Sequence, residues 1–157
     1  MTISESDKLF LTRCVDLAQQ ALNAGDEPFG SVLVLDGEII YEDRNRVGGG
    51  DHTQHPEFAI ARWAATHLSP EQRAQSVVYT SGEHCPMCAA AHGWVGLGRI
   101  VFASSAAQLQ QWLQELGAPQ APITMLPAKE IVPTIDIVGP VPEFAQQVKA
   151  LHQARRF

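Results

Sequence analysis

Pro56 and Pro86 each follow directly on a residue able to bind a metal, His55 and Cys85, and this pairing restricts the fold more than any other feature of the chain. Proline lacks an N–H and is at home in the first turn of a helix. The segments His55-Pro56-Glu57 and Cys85-Pro86-Met87-Cys88 therefore each open a helix after a loop or strand. Two cysteines three positions apart at a helix start can turn both sulfurs toward one ion. If His55 joins them, two helix starts far apart in sequence must meet at one point.

The rest of the chain supplies elements that could bring them together. Ser4 or Ser6 caps a first helix whose apolar positions, Leu9, Phe10, Cys14, Leu17, Ala18, Ala21 and Leu22, recur every three or four residues and stop at Gly25. Cys14 lies on that stripe and reads as a core residue. Gly30–Leu35 is a buried strand, Asp36-Gly37 a hairpin turn and Glu38–Asn45 the returning strand. Val47–His52, with three consecutive glycines, reads as a mobile loop. Helices are predicted over Pro56–His67, briefly from Ser69, from Pro86 to Gly93–Gly98, over Gln108–Leu116 and over Pro142–Arg155. Strands are predicted over Ser76–Thr80, Arg99–Ala103 and Ile135–Val138, and Pro119–Pro133 is a long irregular segment. Strands alternating with helices predict an α/β sandwich with helices on both faces of one sheet.

Composition narrows the function. The 157 residues and 45% hydrophobic content suit one globular domain, with no need of disulfide staples. The net charge of −6 argues against general nucleic-acid binding, which rests on phosphate neutralisation. Three cysteines, Cys14, Cys85 and Cys88, make no disulfide framework. The first residues show no basic region followed by an apolar run, and no window is apolar enough to span a bilayer. A soluble protein of the cytoplasm, a reducing compartment, is the expectation.

One imidazole and two thiolates give three ligands of the softness zinc prefers, and the fourth position is then open to water, as in catalytic rather than structural sites. Glu57, two residues past His55, can reach such a water without binding the metal and so could move its protons. Two other readings stand beside this one. Cys85 and Cys88 could form a thiol redox pair, or His84 could close a structural zinc site with His55, Cys85 and Cys88. A His-x-Glu followed by paired cysteines is also the arrangement of zinc nucleobase deaminases.

On these residues the chain resembles the cytidine-deaminase-like superfamily, in its branch of guanine deaminases and tRNA adenosine deaminases. The resemblance runs in family order from Pro28-Phe29-Gly30 through Asn45 and His55-Pro56-Glu57 to the stretch Tyr79–Cys88 and to Arg99–Phe102. It implies a three-layer α/β/α sandwich with a five-stranded mixed sheet, one zinc per chain held by His55, Cys85 and Cys88, and assembly as a homodimer. It implies hydrolytic deamination with Glu57 as the proton shuttle and the backbone N–H of Cys85 holding the attacking oxygen. Asn45 matches an asparagine that hydrogen-bonds the base. Phe29 and Trp94 match positions that line the pocket, and the place of Trp94 is that of a tryptophan in bacterial guanine deaminases.

Two positions depart from the family. His84 stands where proline is usual, and its reading is a pocket-edge or substrate-binding role. Pro56 stands where alanine or glycine is usual, which removes an N–H donor to a substrate carbonyl and shifts the expected preference toward amino-rich rings. The bland readings assign His52, His67, His92 and His152 to surface or core and Trp63 and Trp112 to packing. Glu83 either stabilises a turn or touches substrate, and Arg155-Arg156-Phe157 is a solvated terminus. With basic residues scattered, the expected substrate is a free nucleobase or amino-heterocycle, guanine first, then cytosine or aminotriazines such as ammeline. A tRNA adenosine is the alternative.

Overall fold

The computed structural model describes residues 2–157. Seven helices and five strands alternate along it. They are α1 (Glu5–Asn23), β1 (Gly30–Leu35), β2 (Glu38–Arg44), α2 (Pro56–His67), α3 (Pro70–Gln75), β3 (Val77–Gly82), α4 (Pro86–Val95), β4 (Ile100–Ser104), α5 (Ala106–Glu115), α6 (Ala128–Ile131), β5 (Ile137–Val138) and α7 (Pro142–Gln153). The strands form one sheet in the order β2-β1-β3-β4-β5. Strand β1 runs antiparallel to β2 and β3, whereas β3, β4 and β5 run parallel, so the sheet is mixed and five-stranded as expected.

Alternation along the strands assigns the two faces. Val32, Val34, Tyr79, Val101 and Val138 pack with Leu11, Cys14 and Leu17 of α1, Trp112 of α5 and Phe144 and Val148 of α7. Leu33 and Val78 point the other way, onto Ile60, Ala61 and Ala64 of α2. Burying side chains of this size stabilises by roughly 1.5–3 kcal/mol each, so both helix layers are firmly attached. Cys14 is fully buried, as the apolar stripe requires.

Local chemistry explains the helix starts. Ser4 caps α1 in a reciprocal box with Asp7, each side chain taking the other's backbone N–H, and Ser69 and Ser105 do the same with Gln72 and Gln108. Pro56 and Pro86 occupy first-turn positions of α2 and α4. At Gly30 the backbone of α1 comes so close that a Cβ would fall inside Leu17 and the Cys14 carbonyl.

Two expectations change. The glycine-rich stretch is not without regular structure: Val47–Gly49 forms a 3-10 turn with Val47 buried. It is pinned because Asn45 Oδ1 accepts from Val47 N at 3.0 Å and Asp26 Oδ1 from Gly48 N at 2.7 Å. The segment Pro119–Pro133 is not wholly irregular, since Ala128–Ile131 makes one helical turn. Its start is held by Glu83, whose two carboxylate oxygens accept from Ala106 N at 2.9 Å and Ala128 N at 2.7 Å. Glu83 therefore joins the starts of α5 and α6, and its turn-stabilising reading is the one its contacts support. No helix among the described residues is long and apolar enough to cross a membrane.

Candidate active site

The starts of α2 and α4 meet. His55 is the N-cap of α2 and Cys85 the N-cap of α4, and Cys88 follows within the first turn of α4. His55 Nδ1 lies 3.6 Å from Cys85 Sγ and 3.5 Å from Cys88 Sγ, and the sulfurs are 3.6 Å apart. Zinc with bonds of about 2.0–2.3 Å to nitrogen and sulfur has tetrahedral ligand edges of about 3.5–3.8 Å. The three donors fit that size, and they form the one group of close metal-type donors among the described residues. The Cys88 thiol and His55 stabilise the Cys85 thiolate, which burial opposes, and Cys85 is brought down to about 4. Cys88 is pushed up by its sulfur partner and by burial.

Glu57 sits in the first turn of α2 and is buried at 6% exposure. Burial pushes its carboxyl up, against the pull of His55 and of two hydroxyls. Those hydroxyls belong to Ser31 and Thr80, each 2.7 Å from Glu57 Oε1. Ser31 and Thr80 are register partners on β1 and β3. They share strand parity with Leu33 and Val78, which places them on the α2 side of the sheet. Neither was singled out from the sequence. The available signal was a polar residue at the buried parity of an otherwise apolar strand.

The remaining expected residues divide. Asn45 is 1% exposed, and its Oδ1 accepts from Glu27 N at 3.2 Å as well as from Val47 N. Phe29 is half-buried beside Gly82 at the end of β3 and meets the His152 ring edge-on at 5.0 Å. Trp94 is not brought to this group. It lies near the far end of α4, about 13 Å along the axis from Cys85 at 1.5 Å per residue, and is 91% exposed.

His84 is buried at 1% exposure, edge-on to His92 at 5.3 Å, with no hydrogen-bond partner at either ring nitrogen. Burial holds it well below the usual imidazole range, so it is neutral. It stands outside the close donor group, and a four-ligand closed site is not formed. His52 is exposed, His67 is exposed and stacked on Trp63, and His92 and His152 are buried, as the bland readings had them. The C-terminal reading changes. Arg155 is not solvated: its side chain is 11% exposed and its Nη2 donates to Glu27 Oε2 at 2.9 Å.

Comparison with known proteins agrees with this geometry. A family model described as the cytidine and deoxycytidylate deaminase zinc-binding region matches residues 4–104. A probable cytosine deaminase of Schizosaccharomyces pombe is 33% identical over 144 residues, 88% of this chain and 86% of that one. The guanine deaminase of Bacillus subtilis is 41% identical over 97 residues, 60% of this chain and 62% of that one. A structure solved in work on A-to-I editing by tRNA A34 deaminases covers 92% of this chain and 99% of its own at 24% identity, with a TM-score of 0.66. That last likeness bears on the fold.

Proposed function

For a chain that belongs to the cytidine and deoxycytidylate deaminase zinc-binding family, and is a zinc-dependent hydrolytic deaminase on that ground, we propose that the substrate is a free nucleobase, guanine first. The observation that carries the chemistry is the buried Glu57 carboxylate beside a three-donor metal group. His55, Cys85 and Cys88 would hold one zinc, which when bound would supply the acidity that brings a water near neutral pKa.

The proton work falls to Glu57. Water adds through oxygen to the ring carbon that bears the exocyclic amine. Glu57 takes the water proton, passes it to the adjacent ring nitrogen, then carries the second proton to the departing nitrogen. The carbon–nitrogen bond breaks, ammonia leaves and a carbonyl remains. Ser31 and Thr80 hold the carboxylate in place during both transfers. The N–H of Cys85, at the open start of α4, is the donor for the developing charge on oxygen. Asn45 offers its amide N–H to the base, Phe29 packs against the ring and His84 closes the edge beside Cys85.

A free base is supported over a tRNA by charge. The net charge is −6, and Arg155 of the one C-terminal arginine pair is already engaged by Glu27. The extensive match to a cytosine deaminase and the higher local identity to a guanine deaminase support the same class. A second reading, an aminotriazine such as ammeline, is favoured by Pro56. It is buried at the start of α2 and cannot donate to a ring carbonyl. We read the assembly as a homodimer in which a second copy covers Trp94, and the location as the cytoplasm.

The test is ammonia release by the zinc-loaded chain with guanine, cytosine, adenine, their nucleosides, ammeline and a tRNA anticodon stem-loop, with Glu57→Ala as the blank. Release with guanine above the other substrates supports the proposal. Release confined to ammeline favours the second reading, and release confined to the stem-loop overturns the free-base class.

A further inference from the structure

We propose that Arg155 is a positioning residue that acts through Glu27 to aim the Asn45 amide N–H at the base. The inference rests on the reading of Asn45 as the residue that binds the base. It concerns how that amide is held.

An asparagine amide has an accepting and a donating end of nearly equal size, so its partners decide which end a ligand meets. Two backbone donors, Glu27 N at 3.2 Å and Val47 N at 3.0 Å, hold Oδ1. That leaves Nδ2 as the end able to bind an acceptor. Asn45 Nδ2 in turn points one hydrogen at Glu27 Oε1, 3.4 Å away, and on the base-binding reading the second hydrogen is the one offered to the ligand.

The Glu27 carboxylate is anchored from the far end of the sequence. Arg155 Nη2 donates to Glu27 Oε2 at 2.9 Å across 128 positions. The guanidinium lies 4.7 Å from the Phe157 ring centroid, and its Nη1 is 3.3 Å from His152 Nδ1. Burial costs this guanidinium some of its basicity and the Glu27 charge restores part of it. His152, one turn earlier, meets the Phe29 ring. Thus the end of α7 braces both residues assigned to hold the base, Asn45 through a carboxylate and Phe29 through a ring edge.

Without Arg155 the Glu27 side chain regains rotamer freedom, and the Asn45 amide loses a fixed acceptor for one hydrogen. The free hydrogen is then less well aimed. Loss of one charge-assisted contact at a remove predicts a rise in KM of about five- to tenfold with kcat changed by less than about twofold.

The test uses the full zinc-loaded chain as wild type, Asn45→Ala, Arg155→Ala, Arg155→Lys and the Asn45→Ala/Arg155→Ala double variant. The side-chain amide resonance of Asn45, identified by its loss in Asn45→Ala, is followed in a ¹H–¹⁵N spectrum. KM and kcat are measured with guanine and with cytosine. We expect Arg155→Ala to shift or broaden that resonance and raise KM, Arg155→Lys to restore both in part, and the double variant to match Asn45→Ala alone. An unmoved resonance in Arg155→Ala, or additive losses in the double variant, overturns the proposal. If Asn45→Ala leaves KM unchanged, the base-binding reading fails separately, and the resonance still decides whether Arg155 positions the amide. Melting curves and one zinc per chain confirm folding, and Arg155→Lys serves if Arg155→Ala does not fold.

Discussion

Ser31 and Thr80 face each other across the β1–β3 register with their hydroxyls 2.8 Å apart. Each hydroxyl has one proton to give. When Glu57 is ionised, both donate to its Oε1 at 2.7 Å. When Glu57 holds a proton, Thr80 turns its own to the Gly82 carbonyl at 2.8 Å, which frees an oxygen lone pair toward the carboxyl. The pair can therefore satisfy the carboxyl in either protonation state without moving the backbone.

Replacing that hydroxyl should lower turnover without loosening the metal. In Thr80→Val the shape is kept and a hydrogen bond to a charged group is lost, an effect of about 1.5–3 kcal/mol, or about ten- to hundredfold in kcat. Steady-state ammonia release checks this, with KM and zinc content expected near wild type. A kcat equal to wild type would show that Thr80 does not act on Glu57.

Removing a metal donor should differ sharply from removing the neighbouring histidine. Cys88→Ala breaks the three-donor group and should abolish both stoichiometric zinc and activity. His84→Ala lies outside that group and should retain one zinc per chain. Metal analysis after dialysis distinguishes the two, and zinc loss in His84→Ala would restore the structural-site reading.

Glu83→Ala should destabilise the chain. Two helix-start N–H groups, of Ala106 and Ala128, lose the carboxylate that now accepts from both. Each such cap contributes about 0.5–2 kcal/mol. Chemical denaturation measures the total, and faster amide exchange at these two residues locates it.

Acid should weaken the fold partly through His152. Burial, assisted by the Arg155 charge, holds its imidazole down at about 3 against an ordinary 6.5. Between those values the unfolded chain binds the proton and the folded one does not. Stability therefore rises with pH across the window and falls as pH drops below about 6.5. His92, buried and held at about 4, adds in the same direction. Melting temperatures of His152→Gln and wild type between pH 7 and about 5 check the sign, since the variant should show the shallower slope.

Trp94 should report assembly. At 91% exposure it is open to an aqueous quencher in a single chain. If two copies meet over it, dilution below the dimer dissociation constant should increase acrylamide quenching in wild type and not in Trp94→Phe. Sedimentation as a monomer at all concentrations would remove the homodimer reading.

Much of this was legible in local sequence because the rules involved are local. Strands alternating with helices predict one sheet, and proline at two helix starts points His55, Cys85 and Cys88 to one expected place. What escaped notice was non-local. Nothing near Val47–Gly50 announces that Asp26, 22 positions away, will hold Gly48. Nothing near Arg155 names Glu27, 128 positions away, as its partner. Ser31 and Thr80 were visible only as polar interruptions, because their meaning depends on a carboxylate from another element. Trp94 is a position where the family match implies a pocket contact, whereas the single chain shows only an exposed ring near the end of α4.

Gly30 has a consequence of a different kind. It lies between Phe29, which packs against His152, and Ser31, which holds Glu57, and its bare backbone rests directly on α1. No side chain cushions that contact. A substitution that swells or slackens α1 at Leu17 will pass its displacement straight through the sheet to both neighbours. Heat adaptation of this protein through its outer helix layer would thus be felt as a change in catalytic rate, and lineages living at different temperatures should vary the residues around Gly30 in concert.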